Sequence, residues 1–233
     1  MIGSKRLLAI IPARGGSKRL PHKNILDFKG KPMIVRSIEA GLQSKYIDRV
    51  VVSTDSEEVA NISIQYGADV PFLRPLDLAT DQAKSIDVIL HTITQLEKDK
   101  DFYEYIVLLQ PTSPLRTAEN IDGAVEYLLE KKANSVISVT EVEHSPLWSN
   151  VLPKDGCMNG FMRDEIINKR SQDLEKYFRL NGAIYICKME SLLSEKSFFL
   201  KDNIFAYVMD KKDSIDIDDE LDFIVAKVLY DQR

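Results

Sequence analysis

Cysteine is scarce in this chain: 233 residues hold only Cys157 and Cys187, and neither belongs to a CxxC pair. So low a count excludes a disulfide framework and fits two reduced thiols in a cytoplasmic protein. Histidine is equally rare, and His22, His91 and His144 lie too far apart for zinc-type spacing. No apolar run reaches the roughly 20 residues a bilayer span requires. The opening MIGSKRLLAII has some of the character of an export signal. Its apolar stretch is too short, however, and it runs into Pro12 and basic residues, so it reads as a buried first strand. A basic excess is also missing. The formal net charge of -5 gives no reason to expect nucleic acid or a membrane surface as partner. Any anion site must be a local basic cluster on an acidic background. Internal repeats and low-complexity tracts are absent.

What is present is 44% apolar residues, enough for one real core and a single α/β domain over residues 1–233. Residues 7–11 (LLAII), 49–53 (RVVVS), 105–109 (YIVLL) and 135–139 (SVISV) read as strands, the first buried on both faces. Helical patterns alternate with them. Pro32 precedes Ile34, Ile38 and Leu42; Asp55 and Glu58 resemble a capping pair. Ser85 can cap a helix carrying Ile86, Ile89, Leu90 and Ile93. Thr117 can cap one with Ile121, Ala124, Val125, Leu128 and Leu129 on one face. The last helix is expected to bury Leu221, Ile224, Val225, Val228 and Leu229. Strands alternating with helices imply a mostly parallel sheet flanked by helices. About residues 141–177 the rhythm breaks into a polar stretch with Pro146 and Pro153, expected to be an inserted arm for dimerisation.

The loop after the first strand, PARGGSKRLPHKN, is where an open α/β sheet places its ligand. Gly15 and Gly16 let backbone N–H groups approach an anion, and Arg14, Lys18, Arg19 and Lys23 add positive charge. A triphosphate needs both features. Lys23 is expected to be exposed when the site is empty. The loop is neither a P-loop nor a GxGxxG turn, because Ser17 and Lys18 follow Gly16 directly. A solvated basic loop is the plainer alternative. Further along, DSIDIDDELD alternates Asp216 and Asp218 with Ile215 and Ile217. On a strand this puts both carboxylates on one face. Such a pair suits Mg²⁺, which takes one or two carboxylates with phosphate oxygens and waters. Asp218 could instead cap the last helix.

IIPARGGSKRLPHKN, LRPLDLATD, LLQPTSPLR, FRLNGAIYI and DSIDIDDELD, in this order, resemble the blocks of the CMP-sialic acid synthetases (acylneuraminate cytidylyltransferases). The resemblance spans nearly the whole chain. It implies a Rossmann-like nucleotide-diphospho-sugar transferase fold whose arm crosses to a second subunit, giving a homodimer. It further implies that CTP and a nine-carbon acidic sugar react to CMP-sugar and pyrophosphate with Mg²⁺. Arg14, Gly15, Gly16, Ser17, Lys23, Asn24, Arg74 and Thr80 match residues that hold CTP. Arg14, Lys18, Lys23, Asp216 and Asp218 would carry the chemistry, the two aspartates holding the metal. Gln110, Arg170, Asn181, Tyr185, Phe198 and Phe199 match residues at the sugar, with Thr112, Ser113 and Arg116 at the same mouth. Trp148 stands where members specific for N-acetylneuraminate carry a lysine near the sugar. Its apolar surface suits a deoxy sugar with acetamido groups, such as legionaminic acid. A CMP-Kdo synthetase and a non-catalytic sugar-nucleotide binding module are the competing readings. NGAIYI and the Phe198–Phe199 pair argue against the first, and the aspartates against the second.

Overall fold

A computed structural model describes residues 5–233; Met1–Ser4, the first part of the signal-like opening, lie outside the described residues. Strand β1 (Leu7–Pro12) alternates its side chains between two covered faces. Leu7, Ala9 and Ile11 join one core with Ile34, Ile38, Ile121 and Val125, while Leu8 and Ile10 join another with Ile89, Ile93 and Leu192. These contacts fix the layers. Helices α1 (Met33–Gln43) and α4 (Ala118–Glu130) cover one face of the sheet, and α3 (Ser85–Lys98) and α5 (Met189–Glu195) the other. Helix α2 (Glu57–Gln65) follows β2 (Arg49–Ser53) and contributes Val59 to the first core. Each large apolar side chain buried in this way contributes about 1.5–3 kcal/mol.

The sheet also contains β3 (Tyr105–Leu108), β4 (Ser135–Glu141), β5 (Phe178–Lys188) and β6 (Ile204–Val208), in the order β2-β1-β3-β5-β4-β6. All neighbours run parallel except β5, which is antiparallel to both β3 and β4. The sheet is therefore mixed, with one reversed strand in an otherwise parallel set. That reversal brings the first residues of β5 to the edge where β1 and β3 end. Between Ile137 and Val139 the register on β5 jumps from Tyr185 to Leu180. The resulting bulge carries Gly182 at φ +72°, a left-handed conformation that favours glycine.

Helix starts differ from expectation in two places. Ser56 caps α2 by accepting from the Val59 N–H, which leaves the Asp55 carboxylate for other partners. Ser85 is the first residue of α3 rather than its cap, a position held by Lys84. Thr117 does cap α4, with Asn120 completing a reciprocal box, a feature worth about 1 kcal/mol. The last helix, α6 (Glu220–Tyr230), turns a different face inward. Ala226 is buried, and Phe223, Leu229 and Tyr230 pack around Phe28. Leu221, Ile224 and Val228 are instead 68%, 52% and 52% exposed, with Val225 beside them. The sequence ELDFIVAKVLY is apolar on nearly every side, so periodicity does not select the buried face. Residues 142–177 carry only two short 3-10 turns, Pro146–Trp148 and Ser171–Asp173.

Candidate active site

Beyond β1 the chain turns at Ala13, whose N–H donates to the Ser53 carbonyl at 2.9 Å. Gly15 then packs against the start of α2. A Cβ there would lie 2.9 Å from the Ser56 Cβ, so glycine is required by contact. Its N–H donates to Asp55 Oδ1 at 3.0 Å and is therefore not free for an anion, contrary to the expectation from the paired glycines. Gly16 has open space where its Cβ would stand and lines the cleft. Asn24 is buried under the loop and donates to the Arg14 carbonyl at 2.9 Å.

The basic side chains of this loop are held by two carboxylates. Arg14 Nη1 and Lys18 Nζ lie 2.7 and 2.5 Å from Asp81. Arg19 Nη1 and Lys23 Nζ lie 3.1 and 3.6 Å from Asp218. Lys18 and Arg14 hold the Asp81 carboxyl below its usual range. Phosphate oxygens could take the place of either carboxylate, exchanging one anionic partner for another. Arg14, Lys23 and Asp81 line a chamber of about 270 Å³ with Ser17, Asn24, Arg74 and Thr80, while Lys18, Arg19 and Asp218 line an adjoining hollow of about 280 Å³ that shares Arg14, Ser17, Lys23 and Asp81. Lys23 is not the exposed residue expected: its side chain is 13% exposed. The amine donates to the Ile217 carbonyl at 2.6 Å, tying the loop to the residues before α6.

Arg74 is almost wholly buried, with Nη2 3.5 Å from Asp55 Oδ1 and Nε without a partner. Burial pushes its pKa down. Asp55, which the sequence suggested as a helix cap, thus organises both Gly15 and Arg74. Thr80 sits at the rim with one long bond to the Asp77 carbonyl.

The chamber ends at a junction of Gln110, Gly182 and Asp216. A Cβ on Gly182 would meet Asp216 Oδ2 at 3.3 Å and Gln110 Oε1 at 3.5 Å, so these two side chains converge on one backbone position. Burial raises the Asp216 pKa, and its Oδ1 is buried without a hydrogen-bond partner. Residues 214–218 belong to no strand or helix, which corrects the period-two reading of DID. The segment is held by loop partners instead, with the Ile217 N–H donating to the Thr112 carbonyl at 2.8 Å and its carbonyl accepting from Lys23. Asp218 is not the helix cap either. Asp219 has that role, accepting from the Asp222 N–H. Among the described residues no cluster of three His, Cys, Asp or Glu side chains is placed to hold a metal ion by itself.

Past the junction a second chamber of about 310 Å³ opens over Tyr185, Phe198 and Phe199. Tyr185 meets both phenylalanines edge-on, with centroids 5.8 and 6.3 Å apart. Gln110 and Ser85 line both chambers.

Several expected site residues are elsewhere. The Asn181 side chain is fully buried beneath the bulge. Its Oδ1 accepts from Ser138 Oγ and the Ala183 N–H, and its Nδ2 donates to Ser214 Oγ, so it shapes the turn without facing the cleft. Of Thr112, Ser113 and Arg116, only Thr112 lines the first chamber. Arg116 is buried, its pKa pushed down to about 9, and donates to the carbonyls of Gln110 and Ala183. Arg170 is 75% exposed and paired with Asp173. It lines neither chamber, nor does Trp148. No helix among the described residues is long and apolar enough to cross a membrane.

The sequence and the fold both have counterparts among known proteins. The sequence profile described as Cytidylyltransferase matches residues 8–226. CMP-N,N'-diacetyllegionaminic acid synthase of Legionella pneumophila is 38% identical over 97% of this chain and 97% of its own length. N-acylneuraminate cytidylyltransferase of Streptococcus agalactiae is 40% identical over 93% of this chain and 51% of that protein, so the chain spans about half of that relative. Among solved structures, CMP:2-keto-3-deoxy-manno-octonic acid synthetase complexed with CTP aligns with a TM-score of 0.71, covering 97% of this chain and 99% of that one. At 20% identity, that likeness concerns the fold. With a family profile covering nearly its whole length and a full-length relative above one-third identity, the chain belongs to the cytidylyltransferase family.

Proposed function

We propose that this chain transfers CMP from CTP to the anomeric hydroxyl of a nine-carbon acidic sugar of the sialic acid class, releasing pyrophosphate. The observation that carries the reading is the junction. Gln110 and Asp216 converge on Gly182 between a cation-lined chamber and an aromatic one. A triphosphate suits the first chamber together with the adjoining hollow, where Arg14, Lys18, Arg19 and Lys23 can exchange Asp81 and Asp218 for phosphate oxygens. Arg74, Asn24 and Thr80 line the part left for the nucleoside. The aromatic wall of Tyr185, Phe198 and Phe199 suits the acyl group of the sugar.

In the reaction the sugar oxygen forms a bond to the α-phosphorus as the bond from that phosphorus to the bridging oxygen breaks. The electron pair leaves with pyrophosphate, whose growing charge Arg14, Lys18 and Lys23 stabilise. The hydroxyl proton passes to a carboxylate or to water. Asp216 and Asp218 would hold Mg²⁺. The unpartnered buried Oδ1 of Asp216 fits that role, and two carboxylates suffice when phosphate oxygens and waters complete the shell. The ion, when bound, neutralises phosphate charge and lowers the pKa of a hydroxyl or water nearby.

The active form is proposed to be a cytoplasmic homodimer. The segment 141–177 exposes Val151, Leu152, Met158 and Ile167, and α6 exposes its own apolar stripe. Surfaces of this kind mark association sites. A crossing arm would also carry Arg170 and Trp148 toward the partner's cleft. The names of the two relatives support legionaminic and neuraminic sugars equally. Pyrophosphate release from CTP with Mg²⁺, measured for N-acetylneuraminate, N,N'-diacetyllegionaminate, Kdo and no sugar, tests the reading. Release with the nine-carbon acids is expected. Release with Kdo alone, or CTP binding without release, would contradict it.

A further inference from the structure

Of the two carboxylates that hold the basic loop, Asp218 is accounted for by the proposed metal site and Asp81 is left without a role. Asp81 lines both the chamber of about 270 Å³ and the adjoining hollow of about 280 Å³. Its Oδ1 lies 2.7 Å from Arg14 Nη1 and its Oδ2 2.5 Å from Lys18 Nζ, so each oxygen is committed to a different cation. A phosphate group would use its oxygens in the same way. The segment that carries Asp81 runs from a 3-10 turn, Leu76–Ala79, to the start of α3. With Leu78, Thr80 and Ala83 it walls one side of the first chamber. Among the described residues its backbone hydrogen bonds stay within it: the Leu78 N–H donates to the Pro75 carbonyl and the Ala83 N–H to the Thr80 carbonyl. The two ion pairs of Asp81 are therefore the polar ties that fasten this wall to the loop across the cleft.

We propose that Asp81 is a built-in competitor for the phosphates. It closes the empty anion site, yields to the triphosphate of CTP, and takes Arg14 and Lys18 back as pyrophosphate leaves. The inference rests on the reading of this chamber as the triphosphate site and adds how that site is emptied after each turnover. Its logic is electrostatic. Cations that bind a triphosphate well also hold pyrophosphate well, because the leaving group keeps two of the three phosphates and most of their charge. A carboxylate on the neighbouring wall offsets that retention, since it competes from within the molecule at a high effective concentration. Asp81 is 42% exposed and Lys18 80%, so their pair is solvated and exchanges readily. Such a latch gives way to a highly charged ligand, yet it lowers the apparent affinity by the fraction of molecules in which it is closed. A neutral side chain in its place would leave both cations free and the site open. Asp77, on the same segment, is exposed and makes no ion pair among the described residues, so the latch can be told apart from mere negative charge on this wall.

The test titrates CTP and inorganic pyrophosphate calorimetrically into wild type, D81N, D81E and D77N, without sugar and at fixed ionic strength and Mg²⁺ concentration. D81N is expected to bind both anions about three- to tenfold more tightly, while D81E and D77N stay within about twofold of wild type. In turnover D81N should show a lower KM for CTP and stronger inhibition by added pyrophosphate, with KM for sugar unchanged at saturating CTP. A side chain that merely supported the wall would weaken binding on removal, so the direction of the change separates the two roles. Equal or weaker binding by D81N, or an equal gain in D77N, would overturn the proposal. Should wild type form no CMP-sugar at all, the reaction reading fails separately, and the pyrophosphate titrations still decide Asp81. Tighter binding by D81N then supports the latch, and absence of binding by wild type and D81N alike overturns it.

Discussion

Gly182→Ala isolates the junction from the rest of the fold. Gly182 has φ +72°, and an L side chain in the left-handed region costs about 1–2 kcal/mol. For a chain of this size that loss lowers Tm by about 2–8 °C. The new methyl would also stand 3.3 Å from Asp216 Oδ2 and 3.5 Å from Gln110 Oε1. The first contact is tight enough to displace the carboxylate by a few tenths of an ångström. Misplacing a reacting group by about 1 Å can cost 10²-fold, so a loss of about tenfold in kcat is expected. Gly30→Ala is the control. Gly30 has φ +79° with open space around its Cβ position, so it carries the backbone strain without the contact. Thermal unfolding and pyrophosphate release are measured on both variants. Similar Tm losses with a kcat defect confined to Gly182→Ala are predicted. Equal kcat in both variants would refute the claim that Asp216 and Gln110 must be held where they are.

Lys23→Met removes both a phosphate contact and the bond to the buried Ile217 carbonyl. It should weaken CTP use by about 10²-fold and cost about 1–3 kcal/mol in denaturant unfolding. Asp216→Asn should abolish Mg²⁺-dependent turnover while leaving Tm within about 3 °C, because Oδ1 has no protein partner to lose; turnover equal to wild type would contradict the assignment. Asp101 gives a pH prediction away from the cleft. Burial alone would raise its pKa, but hydrogen bonds from Tyr103, Arg6 and Arg49 outweigh that and lower it from 3.8. A depressed folded pKa stabilises above the ordinary value, and the contribution is lost as pH falls through the folded value. Asp101→Asn should therefore destabilise near neutral pH and flatten the acid limb below about pH 4, as read by urea unfolding. Light scattering at micromolar concentration should give a dimer mass, and Val228→Lys on the exposed stripe of α6 should lower it; an active monomer would contradict the dimer.

The parts of this fold legible in the sequence are those whose pattern has a single solution. Strands β1 and β2 are continuous apolar runs because both faces are covered, and their limits can be read almost to the residue. Helix α4 shows a capping box and one apolar face, so its orientation was readable too. Helix α6 was not, because two apolar stripes compete and only tertiary contact with Phe28 chooses between them. The DID alternation imitates a strand, yet its backbone partners are a lysine amine and a loop carbonyl, which no period records. Asn181 was expected at the sugar, and the bulge in β5 turns its side chain inward. In the cleft the basic loop announced itself by composition. Its acidic partners did not, because Asp81 and Asp218 reach it only through folding. Asp55, directly after a strand, carried one usable signal: a carboxylate at the ligand edge with a better helix cap, Ser56, beside it. Strand β6 and helix α5 are short, and their alternation is too brief to stand out.

Mass analysis of the product formed from CTP, Mg²⁺ and a nine-carbon acidic sugar tests the central claim most directly. The account predicts a product with the mass of the sugar joined to CMP through one phosphodiester, formed in equal amount with pyrophosphate. Hydrolysis of CTP to CMP or CDP with the sugar left free would contradict it.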